Sequence, residues 1–138
     1  MEEAMMRRRV AQARVARLAT VDRDGSPHIV PVCFALEGDL MITVVDHKPK
    51  TTRALRRVTN VRSNPSVSLL VDQYDEDWEQ LWWVRVDGQA SVVPGDHPEF
   101  ERIIAPLHAK YRGQYGLHDL PGPALVVDVD RWVGWSAR

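Results

Sequence analysis

The residues best suited to chemistry lie in one short segment, Asp46-His47-Lys48-Pro49-Lys50-Thr51-Thr52-Arg53. It joins an apolar run, Leu40 to Val45, to a stretch in which Ala54, Leu55, Val58 and Val61 recur at helical spacing. Pro49 suits the start of a helix, where its missing N–H costs no bond. The free N–H groups of a first helical turn, the positive end of the helix dipole and adjacent lysine and arginine side chains together make an anion site that fits a phosphate. Lysines at a helix start sit against the dipole, so their presence there calls for an anion or some other compensation. The competing reading is a solvated basic face. Arg56, Arg57 and Arg62 lie toward the helix C-terminus, where positive charge is favourable without a ligand.

A second concentration is aromatic: Tyr74, Trp78, Trp82 and Trp83 lie close together, and Trp132 and Trp135 end the chain. Trp82 and Trp83 are adjacent, so on a strand they point to opposite faces. One fills the interior, and the other needs a covering helix or a partner surface. Patterns for protein-only catalysis are missing, with no Gly-x-Ser-x-Gly, no helical His-Glu-x-x-His, no P-loop and no dinucleotide glycine signature. His28, His47, His97, His108 and His118 stand singly without a second ligand at zinc spacing, so a protein-held metal is not expected. Cys33, the single cysteine, reads as a small buried apolar residue in a reducing compartment.

These groups must be positioned by a chain of 138 residues with a formal net charge of -1. The length suits one domain, 1–138, with one core. The near-neutral balance argues against nucleic acid or an anionic membrane as partner. No apolar run approaches the length of a membrane helix, and a cytoplasmic protein is expected. Glu2 to Ala13 reads as a short helix. Val15 to Val21, the Asp24-Gly25 turn and Pro27 to Leu36 read as a hairpin, and Glu37-Gly38-Asp39 turns the chain into Leu40 to Val45, giving a three-strand meander. After the helix that ends near Asn64-Pro65 come strands Ser66 to Val71 and Leu81 to Val93. Asp96-His-Pro-Glu99 has capping-box spacing before a helix whose Phe100, Ile103, Ile104, Leu107 and Tyr111 share a face, and Pro106 is expected to kink or shorten it. Gly113 to Pro123 is a loop and Ala124 to Trp135 a final strand. The pattern predicts a mainly β fold, a six-stranded antiparallel split barrel with inserted helices.

With those elements in place, the chain resembles the split-barrel FMN and deazaflavin proteins of the pyridoxamine-phosphate-oxidase-like class, and most of all the F420-dependent branch found in actinobacteria. The resemblance rests on Ala16-Arg-Leu-Ala-Thr20, Asp24-Gly-x-Pro-His28, Val30-Pro-Val32, Asp46-His-Lys-Pro-Lys50, Asn64-Pro-x-Val67, Tyr74-Asp-Glu-Asp-Trp78, Trp82-Trp83 and Asp87-Gly88. It implies a homodimer with cofactor sites between subunits, acting on a small-molecule substrate. It also implies a cofactor ring along Val30, Pro31, Val32 and Thr43, and a phosphate held by His47, Lys48, Lys50, Thr51, Arg53 and Arg57. Trp78 and one of Trp82 or Trp83 would cover the ring from the partner, Trp83 being the one assigned. The implied activity is hydride transfer with coenzyme F420, the basic residues Lys48, Arg53 and Arg57 favouring its longer anionic tail over FMN. Tyr74 and His47 are the candidate proton donors. The alternatives are an FMN-dependent pyridoxamine phosphate oxidase and a non-catalytic flavin or tetrapyrrole carrier. The oxidase lacks support because the chain ends Trp-Val-Gly-Trp-Ser-Ala-Arg, without an Arg-x-His element.

Overall fold

The computed structural model describes residues 1–45, 56–116 and 120–138. Its elements are α1 (Glu3–Gln12), β1 (Ala16–Val21), β2 (Pro27–Val32), β3 (Ala35–Glu37), β4 (Leu40–Val44), α2 (Arg56–Ser63), β5 (Ser66–Gln73), a 3-10 turn (Trp78–Gln80), β6 (Trp82–Val93), α3 (Phe100–Lys110) and β7 (Ala124–Ser136). The strands form one antiparallel sheet in the order β2-β1-β5-β6-β7-β4-β3, with seven strands where the sequence pattern suggested six.

The extra strand arises because the run from Pro27 breaks at Cys33 and Phe34. The Phe34 N–H donates to the Tyr111 hydroxyl at 3.3 Å instead of to a ladder, and its ring is fully buried. The break also corrects the expected meander. β1 pairs with β2, and β3 with β4, but β2 and β3 lie at opposite edges of the sheet and β4 pairs with β7. Only two residues separate Val32 from Ala35, so the two edges are at most about 10 Å apart. The sheet must therefore curl until its first and last strands meet, which is the split barrel.

Inside the curl lies the main core, with Leu18, Phe34, Met41, Leu69, Val71, Val84, Val86 and Val127 among its buried members. Both α1 and α2 close it from within, through Met6 and Val10 and through Val58 and Val61. Asn60 is buried on α2 and donates to the Thr20 hydroxyl at 3.0 Å, which fixes the helix to β1. Burying both groups is tolerable because each satisfies the other. The predicted helix beginning at Pro49 is seen from Arg56; its earlier residues lie outside the described ones.

α3 packs on the outside of β3 and β4, burying Phe100, Ile104 and Leu107 in a second cluster with Ile42 and Val44. Two expectations about it are corrected. Asp96 does not form a capping box: the helix starts later, at Phe100, and His97 Nδ1 accepts the Glu99 N–H at 3.0 Å. Pro106 sits inside the helix without ending it, since burial of Ile104, Leu107 and Tyr111 on the sheet outweighs the missing hydrogen bond. No helix among the described residues is long and apolar enough to cross a membrane.

Candidate functional site

In an antiparallel sheet, residues directly opposite one another share a face. The register therefore writes the outer surface as rows that run across the strands. One row is Pro31, Arg17, Leu70, Arg85 and Val133, and the next is Ile29, Ala19, Ser68, Asp87 and Arg131. A third is Asp72, Trp83 and Trp135. The alternate rows, such as Val30, Leu18, Leu69, Val86 and Trp132, point into the core. α1 and α2 plug the inside, and α3 lies over β3 and β4, so among the described residues the outer face of β2-β1-β5-β6-β7 carries no helix.

That face is apolar at its margins and charged in its middle. Ile29 is 64% exposed and Trp135 46%. Between them, Arg85 donates to Asp87 through Nε and Nη2 at 3.0 and 3.2 Å, Ser68 donates to Asp87 at 2.7 Å, and Arg17 pairs with Asp72 at 3.3 Å. Burial would raise the Asp87 carboxyl, but the hydrogen bonds from Ser68 and Arg85 and the charges of Arg85 and Arg131 outweigh it and hold Asp87 below the usual carboxylate range. A shallow groove of ≈ 440 Å³ crosses this region between Ala19, Ser68, Asp87, Gln89 and Arg131.

The two tryptophans separate as alternation requires. Trp82 points inward and lies under the Arg9 guanidinium of α1, 4.8 Å from ring centroid to Cζ. Trp83 belongs to the outer face, half-buried opposite Trp135. Beyond it, Trp78 is 68% exposed and its indole N–H donates to the Tyr74 hydroxyl at 3.4 Å, with Tyr74 itself exposed.

The other predicted site residues are dispersed. On β2, Pro31 is exposed, Val30 packs against the core and Val32 is buried. Thr43 is buried too, its hydroxyl donating to the Cys33 carbonyl at 2.7 Å. Val32 and Thr43 therefore turn their side chains inward, and an object lying along the outside of β2 meets Ile29 and Pro31 instead. His47, Lys48, Lys50, Thr51 and Arg53 lie outside the described residues.

What borders that segment is basic. Arg56 and Arg57 open the described part of α2, and His28 of β2 faces them. Burial, then the charges of Arg56 and Arg57, push the His28 imidazole down, so it is neutral at neutral pH. Its Nδ1 is buried with no hydrogen-bond partner among the described residues, while Arg56 reaches Asp22 at 3.9 Å. As a single histidine in a strand, His28 gave no local signal of this role; only its later neighbours on α2 make it part of a basic cluster.

Among the described residues no three of His, Cys, Asp and Glu gather as a metal site. The described residues thus offer surfaces and charge: an open sheet face with a basic corner.

The chain is similar over its full length to the conserved hypothetical protein Rv2991 of Mycobacterium tuberculosis, at 25% identity, 86% coverage of that chain and a TM-score of 0.76. A FAD-binding protein from Mesorhizobium loti matches 97% of the chain and 94% of its own length, at 20% identity and a TM-score of 0.69. An F420 reductase matches 91% of the chain and 94% of its own length, at 21% identity and a TM-score of 0.64. No functionally curated protein matches. The family model described as pyridoxamine 5'-phosphate oxidase spans residues 2–136, and the chain accordingly belongs to that family.

Proposed function

We propose that the protein is an oxidoreductase that uses coenzyme F420 and works as a homodimer, with cofactor sites between the two subunits. The observation that carries this reading is the outer face of β2-β1-β5-β6-β7, over which no helix lies among the described residues and on which Ile29 and Trp135 are exposed and Trp83 half-buried. A surface with apolar margins around paired charges suits a second copy of itself, because a two-fold axis presents the same patch to both partners.

The basic corner fits an anionic cofactor tail. His28, Arg56 and Arg57 border the segment bearing Lys48, Lys50 and Arg53, and a buried imidazole nitrogen with no partner among the described residues is the kind of donor or acceptor an added group satisfies. The exposed Pro31 and Ile29 of β2 offer a flat apolar surface beside it. When bound, the deazaflavin supplies the hydride exchanged with an unsaturated small molecule. The chain supplies orientation, exclusion of water by Trp78 and Trp83, and electrostatic support for the tail. Tyr74, exposed beside Trp78, is the described residue proposed to give up a proton.

Calorimetric titration of F420, FMN and haem into separate samples of the protein tests the reading. F420 should bind at least tenfold more tightly than FMN, and light scattering should give twice 15.7 kDa. FMN binding as tightly as F420 refutes the cofactor, haem alone points to a carrier, and a monomer at micromolar concentration refutes the shared site.

A further inference from the structure

The C-terminal end of α3 carries an amine that the flavin reading does not use. Lys110 Nζ donates to the Ala13 carbonyl at 2.6 Å and lies 3.9 Å from the centroid of the Phe34 ring and 5.4 Å from that of Tyr111. The Arg14 guanidinium lies over the same Tyr111 ring at 4.3 Å and donates to the Lys110 carbonyl at 3.2 Å. Tyr111 in turn donates its hydroxyl to the Arg14 carbonyl at 2.8 Å and meets the Cys33 thiol. Two cations thus share one aromatic wall, and neither forms an ion pair with a carboxylate among the described residues. Arg14 is exposed, and Lys110 is half-buried. The chain has three lysines against fifteen arginines, and an arginine would serve as well for packing on aromatic rings.

We propose that Lys110 is a site of acylation by small anionic acyl donors of the acyl phosphate class, with Arg14 holding the phosphate. The neutral amine attacks the donor carbonyl, the C–O bond to phosphate breaks, inorganic phosphate leaves with its electron pair, and the amine's proton passes to solvent. No oxidant or reductant is needed. The groups facing the amine are Arg14 from the α1–β1 connection, Cys33 from the β2–β3 step and Tyr111 from its own helix. Burial, with the Arg14 charge behind it and Cys33 acting the other way, pushes Lys110 down to about 8. About half of it is then neutral at pH 8, against under about one per cent for an ordinary lysine.

The test exposes the folded protein to acetyl phosphate at pH 8 and follows each lysine by peptide mass spectrometry. Lys110 should be acetylated at least tenfold faster than Lys48 and Lys50, faster than in the urea-unfolded chain, and with a rate half-maximal near pH 8. Arg14→Gln should slow the reaction with acetyl phosphate at least fivefold more than that with the uncharged donor p-nitrophenyl acetate, and Arg14→Lys should restore part of the difference. Equal rates at the three lysines, or a slower rate in the folded chain than in the unfolded one, overturn the site. Equal slowing with both donors in a folded Arg14→Gln protein overturns the phosphate-holding role.

Discussion

Replacing Lys110 with methionine should change how stability depends on pH. In the folded protein the amine is pushed from 10.5 down to about 8, mainly by burial and then by Arg14. A depressed lysine means that the folded state resists the proton which the unfolded state still binds. Below pH 8 both states are protonated and the full cost is present. As pH rises from 8 toward 10.5 the folded amine is neutral while the unfolded one is still charged, so stability increases through that window. The shift corresponds to about 3 kcal/mol at full value. The amine is only half-buried, and solvent screening leaves about 1–2 kcal/mol. Lys110→Met also loses the bond to the Ala13 carbonyl, worth about 1 kcal/mol, so absolute stability at pH 7 changes little and the slope is the readout. Urea unfolding at pH 7, 8, 9 and 9.5 should show the parent gaining about 1 kcal/mol relative to the variant, or about 0.5 M in midpoint. Stopping at 9.5 keeps clear of Tyr111, whose phenol burial pushes up and whose contribution to stability is lost above pH 10. Parallel curves for the two proteins would refute the reasoning.

Gly88→Ala should destabilise the fold by about 2–3 kcal/mol in urea titrations, because an added Cβ would stand 2.3 Å from the Asp128 carbonyl oxygen, at the bulge between Asp87 and Gly88. A neutral result would mean that β7 yields freely there. Ile29→Lys, at an exposed position of the open face, should leave the thermal midpoint of the isolated chain nearly unchanged while turning the proposed dimer into a monomer by light scattering; an unchanged mass would move the interface elsewhere. Lys50→Ala should weaken F420 binding by about ten- to a hundredfold, the worth of one charge-assisted hydrogen bond, with unchanged calorimetric affinity counting against the phosphate assignment.

Much of the local structure was legible. The Asp24-Gly25 turn between β1 and β2 follows from residue types alone, with Gly25 at φ 87, and so does the helical face of α3 built on Phe100, Ile104 and Leu107. What escaped was non-local. The nearly continuous apolar run from Pro27 to Leu36 gives no warning that Phe34 will surrender its ladder bond to Tyr111, a residue far along the chain. Pairing of β4 with β7 likewise depends on closure of the barrel. Alternation required Trp82 and Trp83 to part, yet which one stayed outside was decided by Arg9 covering Trp82. In the candidate site, Trp83 and the basic character of α2 were readable, whereas His28 becomes notable only once Arg56 and Arg57 are brought against it.

The step from β2 to β3 also bears on how the protein avoids sticking to copies of itself. β2 is an edge strand, with β1 as its single partner among the described residues and Ile29 largely exposed, the type of strand that recruits other chains into mixed sheets. Pro27 and Pro31 flank Ile29 at alternate positions, and neither can donate to a ladder, so both belong on the side away from β1. Alternation then leaves Ile29 as the lone outward N–H between them. An incoming strand finds one donor where a regular edge would offer three, and the two-residue leash to β3 holds the other edge alongside. Edge-to-edge growth through this region is thereby disfavoured.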